Sequence, residues 1–221
     1  MDNAEILKHV DHTLLKPTAC WEDIYVLCGE ALEYGTASVC IPPSYVSRIK
    51  QTFSGELTIC TVIGFPLGYQ TTGTKVAEAE EAVMAGADEI DMVINLGDVK
   101  NGDHDNIVEE IRSVKKVIGT KILKVIIETC YLTDEEKITL CDLVTRGGAD
   151  YIKTSTGFGT GGAVLADIQL FKKHIGPGVK IKAAGGIRSK EDLTMFIEAG
   201  CDRIGTSSAV SLLTKGTSSG Y

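Results

Sequence analysis

Positive charge, metal-type spacing and long apolar runs are all scarce in this chain of 221 residues. Twenty-two lysines and arginines stand against thirty acidic residues, a formal net charge of -8. That balance excludes general nucleic-acid binding, which needs a basic footprint. It leaves room for a local basic pocket that takes a small phosphate ester. None of the seven cysteines forms a C-x-x-C pair, and His9, His12, His104 and His174 share no metal-ligand spacing. No metal is therefore expected, and an odd, scattered set of cysteines points to reduced thiols in the cytoplasm. The first ten residues read as a short amphipathic helix rather than a signal peptide. No apolar run approaches the roughly 18 residues that a membrane span requires, so no membrane partner is expected.

What is present is ordinary for a globular protein, 43% hydrophobic and 24% charged, with 24 glycines that imply many tight turns. After the opening helix, strand-like runs alternate with helical periodicity. The strands are expected at Val10–Leu15, Ala37–Ile41, Leu57–Ile63, Glu89–Ile94, Lys121–Ile127, Tyr151–Thr154, Lys180–Ala183 and Arg203–Thr206. Helical spacing lies between them, as in Ile24, Leu27, Cys28 and Ala31, or in Ile107, Ile111, Val114 and Ile118. Further helices are expected from Ser44 to Thr52, from Thr74 to Ala85, and onward from Ser208. Thr133-Asp-Glu-Glu136 is a capping box. Eight strands alternating with helices imply parallel pairing, and at this length they suit a (β/α)8 TIM barrel with a short additional N-terminal helix. A doubly wound open sheet satisfies the same alternation. Residues 1–213 read as one barrel domain. Residues 214–221 read as a flexible C-terminal tail by composition.

An internal repeat sets side-chain direction. Gly86-Ala-Asp-Glu-Ile-Asp91, Gly148-Ala-Asp-Tyr-Ile-Lys153 and Gly200-Cys-Asp-Arg-Ile-Gly205 are three copies of one helix-to-strand junction, and Gly35-Thr-Ala-Ser-Val-Cys40 is a looser fourth. Aligned on the β-branched residue, Cys40, Asp91, Lys153 and Gly205 fall at equivalent positions, with Lys182 in the same register. Side chains alternate along a strand. If the valines and isoleucines face the helices, Asp91, Lys153 and Lys182 face the barrel axis.

A lone lysine at a strand end is more often solvated than functional, and an aspartate beside one lysine can be a structural ion pair. The trio reads otherwise, because burying several charges without a use is expensive. Two ammonium groups in one cavity repel, so one should be pushed towards neutrality. A neutral lysine adds to an aldehyde or ketone and forms an iminium, while Asp91 carries protons directly or through water. Lys124 and Glu128 share a face and read as a supporting pair or as lining, with support favoured. Cys40 reads as a buried, inert thiol, and Trp21 and Tyr34 as packing.

The last two strand exits, Ala184-Gly-Gly-Ile187 and Gly205-Thr-Ser-Ser-Ala209, hold glycines and hydroxyls where barrels often bind phosphate. A Gly-Gly alone is more often a turn. Two such sequences at these exits are more specific, and they make Gly185, Gly186, Gly205, Ser207 and Ser208 the phosphate-binding candidates.

Asp91-Met-Val-Ile-Asn95, Lys124-Val-Ile-Ile-Glu-Thr129, Tyr151-Ile-Lys-Thr-Ser-Thr-Gly157 and Lys182-Ala-Ala-Gly-Gly-Ile-Arg188 resemble the deoxyribose-phosphate aldolase family, nearly from Asp11 to Ser208. The resemblance implies a class I, metal-free aldolase without a cofactor. It would reversibly cleave 2-deoxy-D-ribose 5-phosphate to D-glyceraldehyde 3-phosphate and acetaldehyde. By resemblance Lys153 is the Schiff-base lysine, Lys182 tunes it, Asp91 relays protons and Asp11 is a further pocket acid. Some members carry a lysine where this chain has Phe158, so its phosphate grip should lean on backbone and serine donors. Some end in a tyrosine that assists proton transfer, which makes Tyr221 a candidate. Family members are often dimers, so a homodimer is allowed for. The rival readings are another Schiff-base lyase or transaldolase, a non-catalytic phosphosugar-binding barrel and an isomerase without a covalent step.

Overall fold

The repeated Gly-x-Asp junction organises the lower rim of the fold. In the computed structural model, which describes residues 1–214, Gly86, Gly148 and Gly200 take φ of 111°, 80° and 107°. Each turns the chain out of a helix, a conformation that glycine adopts without a steric penalty. The aspartate two residues later then accepts a backbone N–H from the strand before. Asp88 caps Ile59 at 3.2 Å, Asp150 caps Leu123 at 2.8 Å and Asp202 caps Ile181 at 3.1 Å. One three-residue signature thus ends a helix and pins a neighbouring strand.

The eight strands close into a parallel barrel in sequence order. They are β1 Val10–Thr13, β2 Ser38–Ile41, β3 Ile59–Ile63, β4 Glu89–Val93, β5 Ile122–Ile126, β6 Tyr151–Lys153, β7 Lys180–Ala184 and β8 Arg203–Thr206. The open-sheet alternative is set aside by the pairing of β1 with β8, Asp11 opposite Gly205. The expected additional helix is α1, Asn3–Leu7, closed at its start by an Asp2–Glu5 capping box. The larger helices are α2 Trp21–Tyr34, α3 Val46–Thr52 and α4 Thr72–Ala85 in the first half. In the second half come a short α5 Leu96–Asn101, then α6 His104–Ile118, α7 Asp134–Gly147, α8 Leu165–His174, α9 Lys190–Glu198 and α10 Ala209–Thr214. The Thr133 capping box opens α7 as expected.

Two differences from expectation have simple causes. The 44–52 helix begins with a tighter turn at Pro43–Tyr45, with Pro43 at the first position, where its fixed φ suits a helix start and its missing N–H costs nothing. Helix α5 has no counterpart in the periodicity because only Val99 of its six residues is fully buried. It forms because the Asn95 side chain accepts the Gly97 N–H and Gly102, at φ 74°, ends it. Helix α10 runs to Thr214, and residues 215–221, with Tyr221, lie outside the described residues.

Ile90, Ile152, Ile181 and Ile204 all turn outward into the apolar layer between strands and helices. Each fully buried side chain of this kind stabilises the fold by roughly 1.5–3 kcal/mol. The axis is divided. Cys40, Cys60 and Val62 make a small apolar cluster on the β2–β3 side, while Asp11, Glu89, Asp91, Lys124, Lys153 and Lys182 are buried charged residues of the other strands.

At Gly68, φ is 74° and an added Cβ would lie 2.0 Å from the Ile94 carbonyl oxygen. Gly73, within α4, has open space around it. Gly68→Ala should cost about 2 kcal/mol or more, a drop of roughly 4–8 °C in Tm. Gly73→Ala should leave Tm unchanged or slightly raised. Thermal denaturation of the two variants checks both.

Candidate active site

Barrel closure brings four lysines and arginines against three carboxylates at the axis. Asp91, on β4, lies at the centre and is fully buried. Its Oδ2 receives the Nζ of Lys153 at 2.6 Å and of Lys182 at 2.7 Å. Its Oδ1 receives Lys124 Nζ at 3.0 Å and the Cys60 thiol at 3.1 Å. The expected trio therefore meets, with Lys153 opposite Lys182 in the β6–β7 register. Below them, Asp11 contacts Lys182 Nζ and Arg203 Nη1, each at 2.5 Å, and accepts the Ser38 hydroxyl at 2.8 Å. Glu89 contacts Lys124 at 2.5 Å and Arg203 at 2.9 Å.

These contacts favour the charged forms of Asp91, Asp11, Lys182 and Lys124. Burial by itself would raise the Asp91 carboxyl, yet Lys124, Lys153 and Lys182 hold it well below the usual carboxylate range. Asp11 behaves alike: burial opposes its charge, and Lys124, Lys182 and Arg203 overcome burial and hold the carboxyl down. Burial likewise opposes the Lys182 ammonium, but Asp11 and Asp91 push its pKa above the ordinary lysine value. Lys124 is raised in the same way by Asp11 and Asp91 against burial. A carboxylate lies between Lys153 and Lys182, and Lys182 is held as a cation.

Lys153 differs from the other two lysines in position. It retains 3% exposure, whereas Lys124 and Lys182 have none. It is also the one of the three that lines the cavity of about 530 Å3 at the barrel mouth. Gly185, Gly186, Gly205, Ser207 and Ser208 line the same cavity, as do Lys16, Phe158 and Arg188. Asp11 does not; it supports the floor through Lys182 and Arg203.

The loops around the mouth are stitched together. Ala163 N–H donates to the Ala184 and Gly185 carbonyls at 3.0 and 3.1 Å, and a Cβ on Gly162 would stand 2.2 Å from the Gly185 oxygen. Thr206 donates to the Ile187 carbonyl at 3.0 Å, which joins the β8 exit to the β7 exit. Gly185 and Gly186 take φ of 85° and 76°, so the chain turns sharply at the cavity edge. Gly205 serves a second purpose. A Cβ there would lie 3.1 Å from Lys182 Cε, so the glycine makes room for the lysine stem. Phe158 is half exposed and meets Phe65 edge-to-face, with centroids 5.3 Å apart.

The supporting pair of Lys124 and Glu128 is not formed. Glu128 adopts φ 54°, which takes the chain out of strand alternation after β5. Its carboxylate instead accepts the Thr156 amide at 3.1 and 3.3 Å and the Thr156 hydroxyl, anchoring the loop after Lys153. Cys40 is fully buried, as expected of a packed thiol. Sequence reasoning missed Cys60, Glu89 and Arg203. Glu89 and Arg203 were within reach, since the repeat places them two residues before Asp91 and Gly205 on the same inward face. By spacing, Cys40–Cys60–Asp91 and Asp11–Cys60–Glu89 could each gather a metal ion. Lys124 Nζ already stands 3.0–3.4 Å from Asp91, Cys60 and Asp11. An ammonium thus stands among the Asp11, Cys60 and Glu89 atoms, where an ion held by that set would need to be.

Asp11→Asn should destabilise the protein by about 3 kcal/mol at neutral pH, since it removes one of the two carboxylates that each of the buried Lys182 and Arg203 contacts. The Asp11 pKa is depressed in the fold, so its contribution is complete above the unfolded value of about 3.9 and is lost as pH falls through the folded value. The gap between wild type and variant should hold from about pH 7 to 5 and narrow on further acidification, as read by urea denaturation.

Comparison with known proteins bears on this site. A family model described as DeoC/LacD family aldolase matches residues 5–220. The chain is 66% identical over 221 residues to a deoxyribose-phosphate aldolase of Clostridium botulinum (strain Alaska E43 / Type E3), covering all of both chains. It is 62% identical over 208 residues to the deoxyribose-phosphate aldolase of Clostridioides difficile (strain 630), covering 94% of this chain and 95% of that one. Among solved structures, the tetrameric deoxyribose phosphate aldolase from Aeropyrum pernix superimposes with a TM-score of 0.88 at 34% identity. That match covers 98% of this chain and 93% of the other. A closed barrel with a lysine–aspartate floor and full-length similarity to these enzymes leads to one assignment: the chain belongs to the DeoC/LacD aldolase family, within its deoxyribose-phosphate aldolases, and is an aldolase.

Proposed function

We propose that this aldolase reversibly cleaves 2-deoxy-D-ribose 5-phosphate to D-glyceraldehyde 3-phosphate and acetaldehyde through a Schiff base on Lys153. The observation that carries the reading is positional: Lys153 joins the buried charge network and the mouth cavity at once. The free amine is the form of a lysine that attacks a carbonyl.

The steps follow from that placement. The Lys153 nitrogen adds to the C1 aldehyde of the open-chain sugar, and loss of water leaves an iminium. A base removes the C3 hydroxyl proton, the C2–C3 bond breaks, and its electrons pass to the iminium nitrogen as an enamine. D-Glyceraldehyde 3-phosphate departs. The enamine takes a proton at C2, and water releases acetaldehyde and the amine. Asp91, 2.6 Å from the Lys153 nitrogen, serves as proton carrier, directly or through water. Lys182 stays charged and stabilises the Asp91 carboxylate between proton transfers.

The substrate phosphate would lie at Gly185, Gly186, Gly205, Ser207 and Ser208. Lys16 and Arg188 add positive charge on the cavity wall, and Phe158 contributes none. Residues 1–213 are proposed as a single catalytic domain, which helix α10 extends to Thr214, with Tyr221 as the C-terminal tyrosine of the family pattern. Cytoplasmic residence is proposed from seven cysteines that are all free. Among the described residues no helix is long and apolar enough to cross a membrane. A homodimer is proposed by family likeness, and the Aeropyrum pernix relative is a tetramer.

The test is acetaldehyde release from 2-deoxy-D-ribose 5-phosphate, measured for wild type and lysine variants. Lys153→Ala and Lys153→Arg should fall to background, since neither offers a free amine. Lys182→Met should retain folding and lose roughly 100-fold in kcat, the scale of one missing electrostatic group. Turnover by Lys153→Ala would contradict the reading. Wild-type cleavage of a different phosphorylated sugar, with none of this one, would favour another Schiff-base lyase.

A further inference from the structure

Cys60 has no place in the chemistry derived so far, yet its thiol touches the group that carries the proton. It lies on β3, fully buried and turned to the axis. The thiol donates to Asp91 Oδ1 at 3.1 Å and accepts from Lys124 Nζ at 3.2 Å. The two oxygens of Asp91 are therefore divided. Oδ1 rests on Cys60 and Lys124, and Oδ2 faces the two lysines at 2.6 and 2.7 Å.

We propose that Cys60 is a positioning residue of the aldol reaction: its thiol holds Asp91 so that Oδ2 points at Lys153. The inference rests on the reading of Asp91 as the proton carrier. A carboxylate turns easily about its last torsion, where the preference is broad and two-fold. Lys124 alone does not restrain it, because that ammonium is shared with Glu89 and Asp11. A donor on the β3 side closes the fourth corner.

The donor at that corner is neutral: a thiol adds no charge to the network, while an apolar side chain would leave Oδ1 one donor short. The groups around Cys60 keep the thiol protonated. Burial pushes its pKa well above the usual thiol value, and Cys40 on β2 and the Asp91 charge push it the same way against Lys124. Asp11 on β1 and Glu89 on β4 also bring carboxylate oxygens within 4.8 Å. Lys182 on β7 is a further charged neighbour.

Two substitutions separate donation from packing. Cys60→Val fills the space and suits a strand but has no donor. Cys60→Ser donates but fills less. With 2-deoxy-D-ribose 5-phosphate, Cys60→Val should lose roughly tenfold in kcat, with KM within about twofold, the scale of a hydrogen bond to a charged group. Its acid-side limb should move to higher pH, because the carboxylate loses a stabilising donor. Cys60→Ser should recover most of the rate and return the limb towards wild type. Melting curves verify that both variants are folded, and Cys60→Ala replaces Cys60→Val should the valine overpack. A donor-less variant that equals or exceeds Cys60→Ser, or that keeps the wild-type pH profile, would overturn the role of Cys60. Wild-type turnover in that experiment would leave the aldolase reading intact, whereas wild type unable to cleave the sugar would take both down.

Discussion

The arrangement depends on one buried carboxylate shared by three ammonium groups. Asp91 is out of water, and an isolated ion there would be prohibitively costly. It remains ionised because barrel closure delivers Lys124, Lys153 and Lys182 from the next three strands to within 3.0 Å of it. The dependence runs both ways, since those lysines are buried too. Asp11, Glu89 and Arg203 complete the set one layer below and leave the upper members little freedom. Burial of this kind seldom adds net stability over an apolar core. What it does here is hold the Lys153 amine against the Asp91 carboxylate where the axis meets the mouth cavity.

Floor and mouth are built by different means. The floor is a charge network on strands, where rigid backbone sets positions closely. The mouth is made of loops tied to one another through Ala163, Gly185, Thr206 and Ile187. Glycines permit the close approach, most clearly where Gly162 abuts Gly185. Glu128 links the two regions, leaving β5 at positive φ to hold the Thr156 amide above Lys153. Phe158 and Phe65 add an apolar edge to a rim otherwise lined by amides, hydroxyls and cations.

Much of this was legible in the residues. The repeated junction gave the strand phase, and the phase put Asp91, Lys153 and Lys182 on the axis, where they stand. Fold class followed from alternation and length. The rest was hidden for physical reasons. The bonds made by the aspartates of the repeat were hidden because their partners are amides of a preceding strand, distant in sequence. Cys60 sits in an apolar run, Leu57–Ile63, whose residue types say nothing of a donor role. Lys124 and Glu128 looked paired because alternation was carried through a residue that breaks it. That both lysines would share one oxygen of Asp91 was hidden, because that geometry exists only once the barrel closes.

The measurement that bears most directly on the account is borohydride reduction of the protein with 2-deoxy-D-ribose 5-phosphate, followed by peptide mass spectrometry. The account predicts a two-carbon adduct on Lys153, with Lys124 and Lys182 unmodified. An adduct on Lys182, or none on any lysine of folded protein that binds the sugar, would contradict it.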